Sequence, residues 1–115
     1  MRLTKRKALE LTRDLWRWLA KNTDCEKWNW PKWEKLPDMS NHCPCCEYAE
    51  QRVGRRFIDC SKCPLQSLWG KTPFACQCSK TAPVFNEWRC GEPSEKKIAA
   101  KRIADAAAKE LRKLK

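Results

Sequence analysis

Two Cys-x-x-Cys pairs, Cys43-Pro44-Cys45-Cys46 and Cys60-Ser61-Lys62-Cys63, stand with thirteen residues between them in the middle of a 115-residue chain. Each pair sets two thiolates on one tight turn, and two such turns meeting at one ion complete the tetrahedral sulfur shell that zinc takes in structural sites. No coordination position is then left for water, so a zinc ion held by Cys43, Cys46, Cys60 and Cys63 is expected to hold the protein together rather than perform chemistry. His42, Cys45, Cys76, Cys78 and Cys90 are enough for a second zinc or for substitute ligands, although only Cys76-Gln77-Cys78 has a suggestive spacing. The alternative for these residues is a buried or exposed thiol with no metal. Cys25 stands further off.

Other chemistries of cysteine fit less well. Nine cysteines are an odd count, which weighs against a complete disulfide framework. Residues 1–7 carry four basic side chains, and Glu10, Arg13, Asp14 and Arg17 then interrupt what would be the apolar run of a secretory signal. The expected setting is therefore cytoplasmic, where thiols stay reduced and Cys-x-x-Cys reads as a metal ligand before a disulfide. No segment approaches the roughly 18 apolar residues of a membrane span. The βαβ pattern that surrounds a thioredoxin-type motif is missing, a cysteine nucleophile would have only His42 as its base, and three glycines make no phosphate-binding loop. The chain is expected not to be an enzyme.

Charge points to the class of partner. The chain has 25 Lys and Arg against 14 Asp and Glu, a net charge of +11. Residues 1–22 carry seven basic and two acidic side chains, residues 51–91 the same, and residues 92–115 eight and four, whereas residues 23–50 carry three and six. Four thiolates around one zinc would remove two charges and leave the protein basic. Such a balance favours nucleic acid or an acidic protein surface as partner. The plain alternative is that the lysines and arginines only solvate helix faces.

The elements that must position these groups are mostly helical. From Thr4, an N-cap residue, to Lys21, the residues Ala8, Leu11, Thr12, Leu15, Trp18 and Leu19 recur at helical spacing, with Leu9 and Trp16 widening the stripe. Trp16 and Trp18 are about 200° apart on a helix, so one of them is expected at its edge. Residues 25–41 hold Trp28, Trp30 and Trp33 around Pro31, which suits the first position of a short helix ending near Leu36. Three indoles so close read as a hydrophobic lid. A base-stacking platform is the alternative, disfavoured because such platforms are ringed by positive charge and this segment is acidic.

After the first cysteine pair, Glu47 to Arg52 reads as a short helix stopping at Gly54, with its start at the metal turn lowering the pKa of the thiols there. Residues 55–59 read as extended, 65–82 as a loop, and 83–89 as one or two helical turns that bury Phe85 and Trp88. Glu92-Pro93-Ser94-Glu95 starts a last helix reaching about residue 113, with Ala100, Ile103, Ala104, Ala107, Leu111 and Leu114 as its apolar stripe, packed on the first helix.

Asn41-His-Cys-Pro-Cys-Cys-Glu-Tyr-Ala49, Cys60-Ser-Lys-Cys-Pro-Leu65, Phe85-x-x-Trp88 and Trp30-Pro-Lys-Trp33 together resemble a group of small cysteine-rich proteins of bacterial viruses. The resemblance covers roughly residues 8–110. It implies the cytoplasm of a host cell and zinc carried by Cys43, Cys46, Cys60 and Cys63, and it implies no reaction. Cys25, Cys45, Cys78 and Cys90 depart from the pattern and keep the ligand set open.

The fold expected is mainly α: one small zinc-stabilised domain over residues 1–115. It has an N-terminal helix at about 4–21, a Trp-rich segment at 25–41, a cysteine-rich and loop-rich metal region at 42–90 and a C-terminal helix at about 93–113. The function expected is binding. One reading is a nucleic-acid or nucleoprotein module using Arg52, Arg55, Arg56 and Lys62 near the metal, with Lys101 and Arg102 on the last helix as a second basic surface. The other is a viral accessory protein that covers an acidic face of a host protein, such as an anti-defence factor.

Overall fold

A computed structural model describes residues 3–36, 43–53, 64 and 83–114. Its elements are α1 (Lys5–Lys21), two 3-10 turns (Lys27–Asn29 and Pro31–Lys35), α2 (Pro44–Val53), α3 (Pro83–Cys90) and α4 (Pro93–Arg112). The chain is mainly helical, and no strand occurs among the described residues.

Helix α1 starts where its cap predicts. The Thr4 hydroxyl accepts from the Lys7 amide at 3.0 Å, which satisfies one of the donors a first helical turn leaves open. At the other end the Asn22 side-chain amide donates to the Trp18 carbonyl at 2.8 Å. Between the caps Ala8, Leu9, Leu11, Thr12, Leu15, Trp16 and Leu19 are all buried, while Trp18 is half-buried at the edge of that face. The 200° between the two indoles keeps them off one narrow face, and Trp16, which the sequence placed at the margin of the stripe, is the one enclosed, against Trp88 of α3.

Helix α4 places Pro93 in its first turn, where a missing N–H costs nothing, and the Glu95 carboxylate accepts from the Glu92 amide at 3.0 Å. Its buried face is Ala99, Ala100, Ile103, Ala104, Ala107 and Leu111. Among the described elements the contact between α1 and α4 is the most extensive, followed by α3 on α4 and then α1 on α2. Small side chains let the α4 backbone come close, and the leucines of α1 fill the space beside them.

Helix α3 is held by aromatics and a tight turn. The rings of Trp16 and Trp88 meet edge to face, 4.9 Å between centroids at 81°, and Lys96 covers the Trp88 ring at 5.5 Å. Gly91 joins α3 to α4 so closely that a Cβ there would run into the Glu87 carbonyl oxygen and lie 2.9 Å from the Glu95 Cβ. The Trp-rich segment covers the core as a lid: Trp30 is buried, Trp33 is half-buried against the core, and Trp28 is exposed. Pro31 opens the second 3-10 turn as expected, which ends at Lys35.

One boundary differs from expectation. Helix α2 begins at Pro44, three residues before Glu47, so Cys45 and Cys46 belong to its first turn. Proline is preorganised for the first helical position, and the Glu47 amide already donates to the Cys43 carbonyl at 2.9 Å. The Phe85 side chain and the segments 55–59 and 65–82 lie outside the described residues.

These contacts set measurable costs. Leu15→Ala, at a fully buried site, is expected to lower the unfolding free energy by about 2–5 kcal/mol, and Gly91→Ala by about 1–3 kcal/mol through overpacking at the turn. Exposed Lys97→Ala should stay within about 0.5 kcal/mol of the parent. Urea titration followed by circular dichroism measures all three.

Candidate functional site

Cys43 sits immediately before α2, half-buried and packed against the core, and Cys46 is the third residue of that helix. Backbone amides in a first helical turn point their hydrogens outward and favour negative charge, so this is a place where a thiolate is stabilised. The Cys46 side chain and all of Cys60 and Cys63 lie outside the described residues. His42, Cys76 and Cys78 do as well. Among the described residues no three His, Cys, Asp or Glu side chains gather in an arrangement that would hold a metal ion.

The remaining cysteines divide by environment. Cys45 is fully buried between α1 and α2, its Sγ 3.1 Å from the Thr12 hydroxyl and 4.0 Å from the Ala8 carbonyl oxygen. It fastens the two helices together as an interior thiol. Cys90, the last residue of α3, is exposed. Cys25 is half-buried at the turn after α1. Desolvation first, and then the Asp24 carboxylate that accepts from its thiol at 3.8 Å, push the Cys25 thiol above its ordinary range. The thiolate fraction at a given pH is lowered accordingly.

The expected basic surfaces fare differently. Arg55, Arg56 and Lys62 lie outside the described residues, as does the Arg52 side chain. Lys101 and Arg102 are exposed on α4. With them on the same face are Lys97, Lys109, Arg112 and Lys113, all exposed, and between residues 97 and 113 the one exposed acidic side chain is Asp105. Arg102 reaches Glu87 at 3.8 Å with both side chains about half exposed, a contact too solvated to hold the guanidinium back from another anion.

Sequence reasoning missed how this face is extended. Arg6 of α1 donates to the Leu114 carbonyl beyond the end of α4, which brings exposed Lys5, Arg6 and Lys7 beside Arg112 and Lys113. Residues more than a hundred positions apart share one end of the fold, and only the charge excess at both ends of the chain hints at it.

Asp14 lies on α1 one turn before Trp18 and anchors a second region. It accepts from Arg13 at 3.0 Å and faces the Lys32 ammonium at 3.7 Å, fastening the Pro31–Lys35 turn to α1. Lys32 also stands 5.7 Å from the centre of the Trp30 ring. Among the described residues no helix is long and apolar enough to cross a membrane. No protein-family model, curated protein or solved structure matches the chain.

The perturbed thiol is directly testable. Because the Asp24 charge raises the Cys25 pKa, Asp24→Asn should lower it and speed alkylation of Cys25 by iodoacetamide at pH 8 severalfold. Peptide mass spectrometry, which separates Cys25 from the other eight cysteines, gives the rate.

Proposed function

We propose that this chain is a non-catalytic, zinc-stabilised binding protein that docks a basic surface on nucleic acid or on a nucleoprotein complex. The observation that carries the proposal is the solvent face of α4. Lys97, Lys101, Arg102, Lys109, Arg112 and Lys113 lie along it, with Asp105 the one exposed acid of that stretch, Glu110 pairing Lys113 at 2.9 Å and Glu87 of α3 reaching Arg102 at 3.8 Å, and Lys5, Arg6 and Lys7 continue it at one end. At 1.5 Å per residue the stretch from 97 to 113 covers about 24 Å, long enough to follow several phosphates. Lysine and arginine neutralise phosphates and release counterions, a gain that depends on charge and not on base sequence.

A second reading has one observation in its favour. Ile98, 60% exposed, lies next to Lys97 at the N-terminal end of the basic face. An apolar side chain gives a phosphate nothing, whereas it gives a protein an anchor surrounded by charge. This reading is a viral accessory protein that covers an acidic face of a host protein.

Zinc belongs to both readings, with Cys43, Cys46, Cys60 and Cys63 as its shell. Its support is the spacing of the two pairs and the position of Cys43 and Cys46 at the start of α2, where thiolates are favoured. Arg52, Arg55, Arg56 and Lys62 would then be carried on the connector between the two turns. The purified protein is expected to hold one zinc per chain by elemental analysis, to lose it in Cys43→Ser and in Cys46→Ser, and to melt at lower temperature after chelation. No zinc, or full retention in both variants, would remove the metal from the proposal. A second equivalent would direct attention to Cys76 and Cys78.

Salt titration separates the two binding readings. Affinity for a duplex should fall with salt at a log–log slope of about −0.9 for each phosphate neutralised, and Lys101→Ala with Arg102→Ala should flatten that slope by up to two such units. Ile98→Ser should leave it unchanged. Absence of binding to DNA and RNA at about 50 mM salt would sink the nucleic-acid reading. An acidic protein partner that survives nuclease treatment and is lost in Ile98→Ser would replace it.

A further inference from the structure

A cavity of about 330 Å³ opens where the end of α1 meets the Trp-rich turns, lined by Trp18, Trp30, Pro31, Lys32 and Lys35. Its size is within the range of small-ligand sites, about 300–1,000 Å³. The composition of the lining is specific. Trp18 supplies a partly open indole face, the buried Trp30 and Pro31 supply apolar backing, two lysines supply positive charge, and no carboxylate is among the described lining residues.

We propose that this cavity takes a nucleobase of single-stranded nucleic acid, the base stacking on indole and the adjoining phosphate meeting Lys32 and Lys35. The proposal rests on the nucleic-acid reading and specifies the form of the strand. A base in a duplex is already stacked on its neighbours, so only an unpaired one presents a free face to an indole. Lysines beside the aromatic surface are what a stacking site requires in order to follow the backbone of the strand.

The acidity of residues 23–50 argued against stacking when only the sequence was considered. Lys32 and Lys35 line the cavity, whereas among the described acids of that segment Asp24, Glu26 and Glu34 are not part of its lining and Glu47 is buried on α2. Asp14, contributed by α1, holds Lys32 at 3.7 Å without lining the cavity itself.

The walls are fixed before any ligand arrives. Trp30 is braced edge to face by Trp33, 5.0 Å between centroids at 89°, and the Trp33 indole N–H donates to the Lys27 carbonyl at 2.8 Å. Pro31 sets the backbone of the turn that carries both lysines. Trp18 sits at the edge of the α1 core face, half-buried, so its packing holds the ring while part of it remains open. Little conformational freedom is left to lose on binding.

The test uses fluorescence anisotropy with a labelled 12-nucleotide oligothymidylate and a duplex of the same length, on the intact zinc-loaded protein. The single strand should bind, and Trp18→Leu should weaken it by about 5- to 150-fold, the range for loss of one stacked base. Trp18→Phe should restore most of the affinity. Exposed Lys35→Ala should flatten the single-strand salt slope by about 0.7. All three should leave duplex binding unchanged, and circular dichroism should report an intact fold. If single strand and duplex bind alike and neither Trp18→Leu nor Lys35→Ala changes the single-strand affinity, the cavity proposal is overturned while the basic face stands. If neither nucleic acid binds at about 50 mM salt, both readings fall.

Discussion

The contact between α1 and α4 is the constraint on which the rest of the fold depends. Ala99, Ala100, Ala104 and Ala107 present almost no side chain beyond Cβ, so two long helices approach closely along much of their length. Leu11, Leu15, Leu19 and Ile103 are fully enclosed as a result. The other described elements attach to this pair: α3 through Trp88 on Trp16, α2 through Cys45 on Thr12, and the Trp-rich turns through Lys32 on Asp14. A bulkier α4 face would separate the helices and loosen each of those attachments.

That one packing decision also organises the charge. Setting the start of α1 beside the end of α4 gathers Lys5, Arg6 and Lys7 with Arg112 and Lys113, and the Arg6 bond to the Leu114 carbonyl holds the two ends in place. Like charges brought together repel, yet here they are exposed, where water and salt screen them within about 8–10 Å. The cost to stability is small, and an anionic partner would meet these cations together at that end of the described fold.

The cysteines follow a division that pattern reading does not make. Cys43 and Cys46 share the start of α2, Cys45 between them is turned into the core, and the Cys25 thiol is pushed above its ordinary range by desolvation and by Asp24. Helical geometry is the reason: adjacent residues at a helix start point in directions about 100° apart, so neighbours in sequence enter different environments.

Much of the helical framework was legible from residue order. The limits of α1 and α4, the Pro31 turn and the burial of Trp88 all follow from local rules, namely capping, proline geometry and 3.6-residue periodicity, whereas the choice of Trp16 over Trp18 for the core did not, because Trp88 of α3 is what encloses it. The start of α2 was misplaced because Cys-Pro-Cys-Cys suits a metal turn and a helical first turn equally, and Pro44 favours the helix. Of the site, the sequence by itself determined the two cysteine pairs, the basic excess and Lys101 with Arg102 on the last helix. Only the tertiary structure decided that Lys5, Arg6 and Lys7 join that helix and that Cys45 is interior. It alone decided that Lys32 and Lys35 face the indoles although their segment is acidic. The physical reason is common to all three: side-chain surroundings are set by which helices come together, and no periodicity along the chain encodes a neighbour contributed by a distant element.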